Sequence, residues 1–198
     1  MEIVNCEQGT PEWFQLREKR LTASHGQEIA ANGKGLITYI NKIMQEYFST
    51  AEPDSFTSAA MERGNELESS ARFAYEVETG LEVEQVGFIV HDEYSGASPD
   101  GMIDDDGLME IKCPGDKVYF QYLLDKKIDT KYIAQMQCQL LMSKRKWCDF
   151  VTYNPNFKQS LIIQRVEADP VIFTKLTAGL LAGRERIIAI QKQFEGVL

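Results

Sequence analysis

A chain of 198 residues, 43% of them hydrophobic, has enough apolar content for one sizeable core and predicts a single domain over residues 1–198. No apolar run reaches the roughly 18 residues of a membrane span, and the start "MEIVNCEQGTPEW" lacks the basic flank and apolar centre of a signal peptide, so no membrane association is expected and a soluble, cytoplasmic protein is. Four cysteines at 6, 113, 138 and 148 form no C-x-x-C pair and the two histidines stand apart at 25 and 91, which argues for reduced thiols and against a zinc site or an iron–sulfur cluster.

In chain order, "GTPEWFQLREK" predicts a helix with Thr10 as cap, Pro11 at the first helical position and Glu12 in the first turn. Ser24 followed by Gln27, with Asn32-Gly33 as a stop, predicts a short helix capped by the serine. "LITYINKIMQEYF" places Ile37, Ile40, Met44 and Phe48 on a helical period, and "STAEPDSFTS" reads as a loop. The next helix, "GNELESSARFAYEVETG", turns Leu67, Ala71 and Ala74 inward, sets Glu68 at the edge of that stripe and stops at Gly80. There the period changes to two, and "LEVEQVGFIV", "SGASPDGMI" and "LMEIK" predict three consecutive antiparallel strands, the last pair joined by the turn "DDDG". "DKVYFQYLLDKK" and "KYIAQMQCQLLMSKR" read as helices, and "WCDFVTYNP" and "SLIIQRVEA" as strands. Asp169-Pro170 opens a long amphipathic helix from about residue 170 to 194. This order predicts an α/β (α+β) fold in which a central mixed β-sheet is flanked by helices.

The net charge of −9 at first opposes a nucleic-acid partner, because affinity for phosphates comes largely from Lys and Arg. Its distribution reverses that reading. Nine of the 30 acidic side chains lie between Leu81 and Glu110, where there is no Lys or Arg, so the rest of the chain balances its 21 basic side chains. A metal site would neutralise part of that excess, whereas solvated turns and a charged sheet face are the plainer explanation.

Within "SPDGMIDDDGLMEIKCP" the strand period sends Glu110 and Lys112 to one face and Met109 and Ile111 to the other. Ile111 then anchors the strand in the core while the charged pair faces a cleft, and Asp100 lies across the hairpin. Two carboxylates and a lysine suit Mg²⁺ or Mn²⁺, which bind through one or two protein carboxylates, waters and substrate phosphate oxygens. Such ions lower the pKa of bound water and stabilise charge on a phosphoryl oxygen, and a lysine can position the water or support that charge. E-x-K by itself is usually a solvated ion pair, and Asp104 to Gly107 reads as a turn. An EF-hand is excluded, because Gly107 at its sixth position would make Met102 the first ligand.

The combination D-x₉-E-x-K resembles the PD-(D/E)-x-K nuclease superfamily, and "SPDG…LMEIKCP" is similar to its phage lambda-type exonuclease branch, the YqaJ viral recombinase family. "WFQLREKRLTAS", "GNELESSARFAYE" and "YIAQMQCQLLMS" resemble further motifs of the branch, in its order, over residues 13–142. The resemblance implies Asp100 and Glu110 as metal ligands with the backbone carbonyl of Ile111, Lys112 as the group that helps activate water, and Glu68 as the carboxylate of a second metal. For Glu68 the residues alone also allow a capping pair with Asn65. Gln135 is implied at the active site, with Gln139 on the same face, and Ile133, Met136 and Leu140 on the core side. Arg17 and Ser24 match positions that recognise a terminal 5′-phosphate, a role suited to a guanidinium and a hydroxyl, although a surface arginine and an ordinary cap would look the same.

The implied activity is Mg²⁺-dependent 5′-to-3′ digestion of linear double-stranded DNA to 5′-mononucleotides, leaving a 3′ single strand for recombination, with two metal ions and Mn²⁺ as a substitute. A ring-shaped homotrimer, a single-strand annealing partner and a bacterial or phage-infected host cell are implied likewise. A structure- or site-specific endonuclease on the same core, a non-catalytic DNA-end-binding subunit and a calcium-binding acidic regulator are the competing readings. Residues 32–61 and the chain beyond Tyr153 match no motif.

Overall fold

The computed structural model describes residues 1–50 and 59–194, with side chains for all of these except 59–62. The expected loop "STAEPDSFTS" therefore lies outside the described residues from Ala51 onward.

The central sheet is mixed and five-stranded. It comprises β3 (Val83–Glu84), β6 (Gly101–Ile103), β7 (Gly107–Lys112), β8 (Trp147–Tyr153) and β9 (Leu161–Glu167), in the order β3-β6-β7-β8-β9. Only β7 and β8 run parallel. Helix α4 (Ala59–Thr79) covers one face, where Ala71 and Tyr75 pack on Ile103, Met109, Ile111 and Val151. Helix α6 (Thr130–Ser143) covers the other, where Met136 and Leu140 meet Met102, Leu108, Cys148 and Phe150. The alternation read from "LMEIK" is thus realised, with Met109 and Ile111 under α4 and Glu110 under α6.

A second sheet joins β1 (Glu2–Val4), β4 (Phe88–Asp92), β5 (Ser95–Ala97) and β2 (Leu21–Thr22), in the order β1-β4-β5-β2. Neither β1 nor β2 was expected, since segments of two and three residues carry no measurable period. The three consecutive antiparallel strands are corrected by this arrangement: "LEVEQVGFIV" divides into β3 and β4, and "SGASPDGMI" into β5 and β6, each run crossing from one sheet to the other. Pro99 has no N–H for a ladder at the second break. The Gln8 amide bridges both breaks, donating from Nε2 to the carbonyls of Val86 at 3.0 Å and Pro99 at 3.1 Å.

The remaining helices are α1 (Pro11–Arg17), α2 (Gly26–Ala31), α3 (Lys34–Phe48), α5 (Asp116–Asp125) and α7 (Pro170–Phe194). The Trp13 N–H donates to the Thr10 cap at 3.4 Å, and the Val171 N–H to Asp169 at 2.8 Å, as their sequences predict. Ser24 is not a helix cap, because a 3₁₀ turn, Ala23–His25, precedes α2 and the serine lies inside it. Asn32 does end α2, in the left-handed conformation at φ 46°. Of the α3 residues expected inward, Ile40 and Met44 are buried while Ile37 is exposed, its place taken by Leu36 and Tyr39. A third core, from Leu21, Ile29, Ile40, Met44, Leu176 and Ile187, joins α2, α3 and α7 to the back of α6 through Cys138 and Met142. At the α2–α7 crossing a Cβ on Gly179 would stand 1.9 Å from the Ile29 carbonyl oxygen, so only glycine lets these backbones meet. All four cysteines are free thiols. Among the described residues no helix is long and apolar enough to cross a membrane.

Candidate active site

Strand β7 runs beneath α6 and carries Glu110 and Lys112 on that side. Glu110 does not line an open cleft as expected; it is 1% exposed, and a carboxylate so buried needs partners for every lone pair it turns inward. It has them. Gln135 donates Nε2 to Oε1 at 2.7 Å, Gln139 donates Nε2 to Oε2 at 2.7 Å, and the Lys112 ammonium donates to Oε1. Lys112 also lies 5.4 Å from the Tyr132 ring centroid.

Asp100 stands just ahead of β6 and is locked across the hairpin from β7. Its N–H donates to the Met109 carbonyl at 3.0 Å, and its Oδ2 accepts the Ile111 N–H at 2.6 Å. Burial, and then the charge of Glu110, push its carboxyl up from 3.8 to about 8, against the pull of Lys112. Burial works against the charged form of Lys112, but Glu110 and Asp100 outweigh it and hold the ammonium above its ordinary value.

Glu68 reaches this end of the sheet from α4, paired with Arg72 at 2.6 Å, and Arg72 Nη2 lies 3.5 Å from the Asp100 carbonyl oxygen. The capping pair with Asn65 is excluded because α4 begins at Ala59 and Asn65 lies well inside it. No group of three or more His, Cys, Asp or Glu side chains placed to hold a metal ion occurs among the described residues. The oxygen donors at hand are two carboxylates, Asp100 and Glu110, supplemented by backbone carbonyls. They are hard ligands in a site where one carboxylate already raises the other, which suits a small divalent cation that keeps several waters.

A second polar cluster lies beside the first. The Arg17 guanidinium stacks on the Trp13 ring at 4.2 Å, with Nη2 3.4 Å from the Thr22 hydroxyl. Thr22 Oγ1 lies 3.0 Å from Ser24 Oγ and 3.1 Å from the Tyr39 hydroxyl. The clusters are joined in two ways. Thr22 pairs with Gly96 in β5, the strand that leads directly to Ser98, Pro99 and Asp100, and Ser98 accepts the Trp13 indole N–H at 2.9 Å. A Cβ on Gly26 would stand 2.4 Å from the Ala134 carbonyl oxygen, so the turn holding Ser24 rests on the α6 backbone one residue before Gln135.

Of the residues singled out in the sequence, Asp100, Glu110, Ile111, Lys112 and Gln135 come together, Glu68 approaches through Arg72, and Arg17 and Ser24 meet at Thr22. The sequence shows Gln139 only as a neighbour of Gln135, and its spacing of four is the signal for a second amide on the same carboxylate. Thr22 stands in the sequence only as part of "LTAS", and Arg72 only as the residue four after Glu68. Tyr39 had no signal beyond a place on a core-facing helix.

A family model described as a YqaJ-like viral recombinase domain matches residues 12–146. The chain belongs to this family. The YqaJ-like segment contains every residue of both clusters, from Trp13 to Gln139. Among solved structures, the alkaline exonuclease LHK-Exo from Laribacter hongkongensis superposes with a TM-score of 0.81 at 32% identity, over 96% of this chain and 100% of that one. The same exonuclease in complex with dAMP gives 0.80 at 34% identity, again over 96% and 100% of the two chains. A phage-related exonuclease from Haemophilus somnus 129PT shares the fold, with a TM-score of 0.67 at 14% identity over 91% of this chain and 98% of its own. Comparison with curated proteins finds no match.

Proposed function

We propose that this YqaJ-like protein is a metal-dependent DNA exonuclease that digests one strand of linear duplex DNA from a phosphorylated 5′ end, releasing 5′-mononucleotides and leaving a 3′ overhang. The observation that carries this reading is the contact at Gly26, which sets the Arg17–Thr22–Ser24 cluster against α6 beside Gln135. An anion-binding pocket one backbone contact from a carboxylate–lysine site suits an enzyme that grips a chain end while cutting next to it. Likeness to exonucleases over almost the whole chain supports the same reading.

Asp100, Glu110 and the Ile111 carbonyl would hold Mg²⁺, with Glu68 serving a second ion and Mn²⁺ as a substitute; the metal supplies Lewis-acid polarisation of the phosphodiester and a more acidic water. Lys112 keeps its proton in the buried site and donates to the attacking water or to the phosphoryl oxygen on which charge develops. Gln135 and Gln139 fix the direction of the Glu110 oxygens, as outer partners of a ligating carboxylate do. Arg17 and Ser24 bind the terminal phosphate through charge-assisted hydrogen bonds. A ring-shaped homotrimer and a single-strand annealing partner belong to the proposal through the family resemblance.

The test is digestion, with Mg²⁺ and separately with Mn²⁺, of linear duplex carrying a 5′-phosphate, the same duplex carrying a 5′-hydroxyl, and a covalently closed circle. Mononucleotides from the phosphorylated end with the circle spared are expected. A cut circle would transfer the assignment to an endonuclease, and no cleavage with either metal would leave a DNA-end-binding subunit.

A further inference from the structure

His25 has no part in the reading above, yet it lies in the turn that carries Ser24. Its ring stacks on Tyr39 with centroids 3.7 Å apart and planes 19° from parallel. Tyr39 is itself buried, and its hydroxyl accepts the Thr22 N–H at 3.1 Å and lies 3.1 Å from the Thr22 Oγ1 on which Arg17 and Ser24 converge. One residue of α3 thus fixes both the hydroxyl at the centre of the pocket and the imidazole at its side. Nδ1 of His25 faces Glu28 Oε2 at 3.8 Å, and the side chain is 41% exposed. Among the described residues Nε2 makes no hydrogen bond.

We infer that His25, held by Tyr39, is a further phosphate-binding group of this pocket, and that it makes the preference for a phosphorylated 5′ end weaken as pH rises. The inference rests on the reading of the Arg17–Ser24 pocket as the 5′-phosphate site. The groups that face His25 are Glu28 from α2, Arg17 from α1, and Tyr39 and Lys42 from α3; α6 contributes Cys138, which acts on Tyr39 instead. Burial, with Arg17 and Lys42, opposes a proton on the ring, and Glu28 favours one. A phosphate dianion entering beside Arg17 neutralises that opposition, so the ring takes up a proton from solvent and donates to a phosphate oxygen. The gain is lost as pH passes through the pKa of the ring in the complex.

The experiment measures initial rates on 5′-phosphate and 5′-hydroxyl duplexes at pH 6.5, 7.5 and 8.5 for the wild type, His25→Gln and His25→Lys, and takes the ratio of the two substrates at each pH. The ratio removes titrations common to both substrates, such as those of the carboxylate site, and ionisation of the free phosphate, with its pKa of about 6, is shared by all three proteins. The wild-type ratio is expected to fall with pH, the His25→Gln ratio to be about tenfold lower at pH 6.5 and nearly flat, and the His25→Lys ratio to be high and flat. A His25→Gln ratio equal to wild type at every pH overturns the role of His25 and leaves the Arg17–Ser24 pocket standing. A wild-type ratio of one throughout removes the pocket reading and this inference together.

Discussion

Gln139 donates Nε2 to Glu110 Oε2 at 2.7 Å, and both side chains are almost wholly buried. Gln135 donates to the other oxygen from a position four residues earlier on the same helix, but it is only partly buried. The difference in burial separates their effects. Gln139→Ala leaves a buried carboxylate oxygen without its donor and is expected to lower stability by about 1–3 kcal/mol, as read from the midpoint of urea unfolding. Gln135→Ala, where water replaces the amide, is expected to lower turnover with much less loss of stability. Equal unfolding midpoints for the two variants would show that Gln139 has no special part in holding Glu110.

Lys112→Ala removes the ammonium that donates to Glu110. Cleavage should fall at least about a hundredfold, the order expected when a donor to developing charge is lost, while binding to duplex ends, followed by fluorescence anisotropy in a chelator, is retained. Turnover at the wild-type rate would remove Lys112 from the mechanism.

Asp100 is expected to couple metal binding to pH. With its carboxyl pushed up to about 8 in the metal-free protein, a divalent cation must displace a proton below that pH. Affinity for Mg²⁺ measured by calorimetry should therefore tighten about tenfold per pH unit up to 8 and level off above it. The same shift bears on stability. The unfolded chain loses the Asp100 proton near 3.8 and the folded protein near 8, so this group favours folding most at low pH, and its contribution declines as pH rises between those values. Mg²⁺ affinity that does not change with pH would show that Asp100 carries no proton in the free site.

On the far face of the sheet, Asp149 is buried and accepts the Tyr75 hydroxyl at 2.6 Å and the Arg165 fork at 2.8 and 2.9 Å. This cluster ties α4, which carries Glu68, to β8 beside β7. Tyr75→Phe keeps the fork and should cost about 1–2 kcal/mol. Arg165→Ala leaves the buried carboxylate with one hydroxyl and should cost more, about 3 kcal/mol. Denaturant midpoints in the reverse order would show that the hydroxyl, not the guanidinium, carries the cluster.

Gly26→Ala places a methyl against the Ala134 carbonyl, where only backbone could yield. A loss of about 1–3 kcal/mol is expected from the forced separation, together with a weaker preference for a 5′-phosphate, because the Ser24 turn moves away from Gln135. A destabilised variant with unchanged preference would separate the two clusters functionally.

What the sequence determined by itself were features written in neighbouring residues. Thr10 and Asp169 announced their helices as caps, and the alternation in "LMEIK" sent Ile111 to the core and Glu110 with Lys112 to the opposite side. The spacing of Asp100, Glu110 and Lys112, with the motif around Arg17, pointed to the family. The tertiary structure alone decided what those side chains meet. Glu68, paired with Arg72 one helical turn on, comes to the Asp100 backbone because α4 packs across the sheet on Met109 and Ile111. Ser24 is bound to Thr22, which Tyr39 holds in turn, instead of capping α2, and the two β runs cross between sheets around Pro99 and Gln8. Periodicity records which way a side chain points relative to its own backbone, whereas the partner it finds depends on packing between segments far apart in the chain; this is why Glu110 was legible as a candidate ligand and its burial between two glutamines was not.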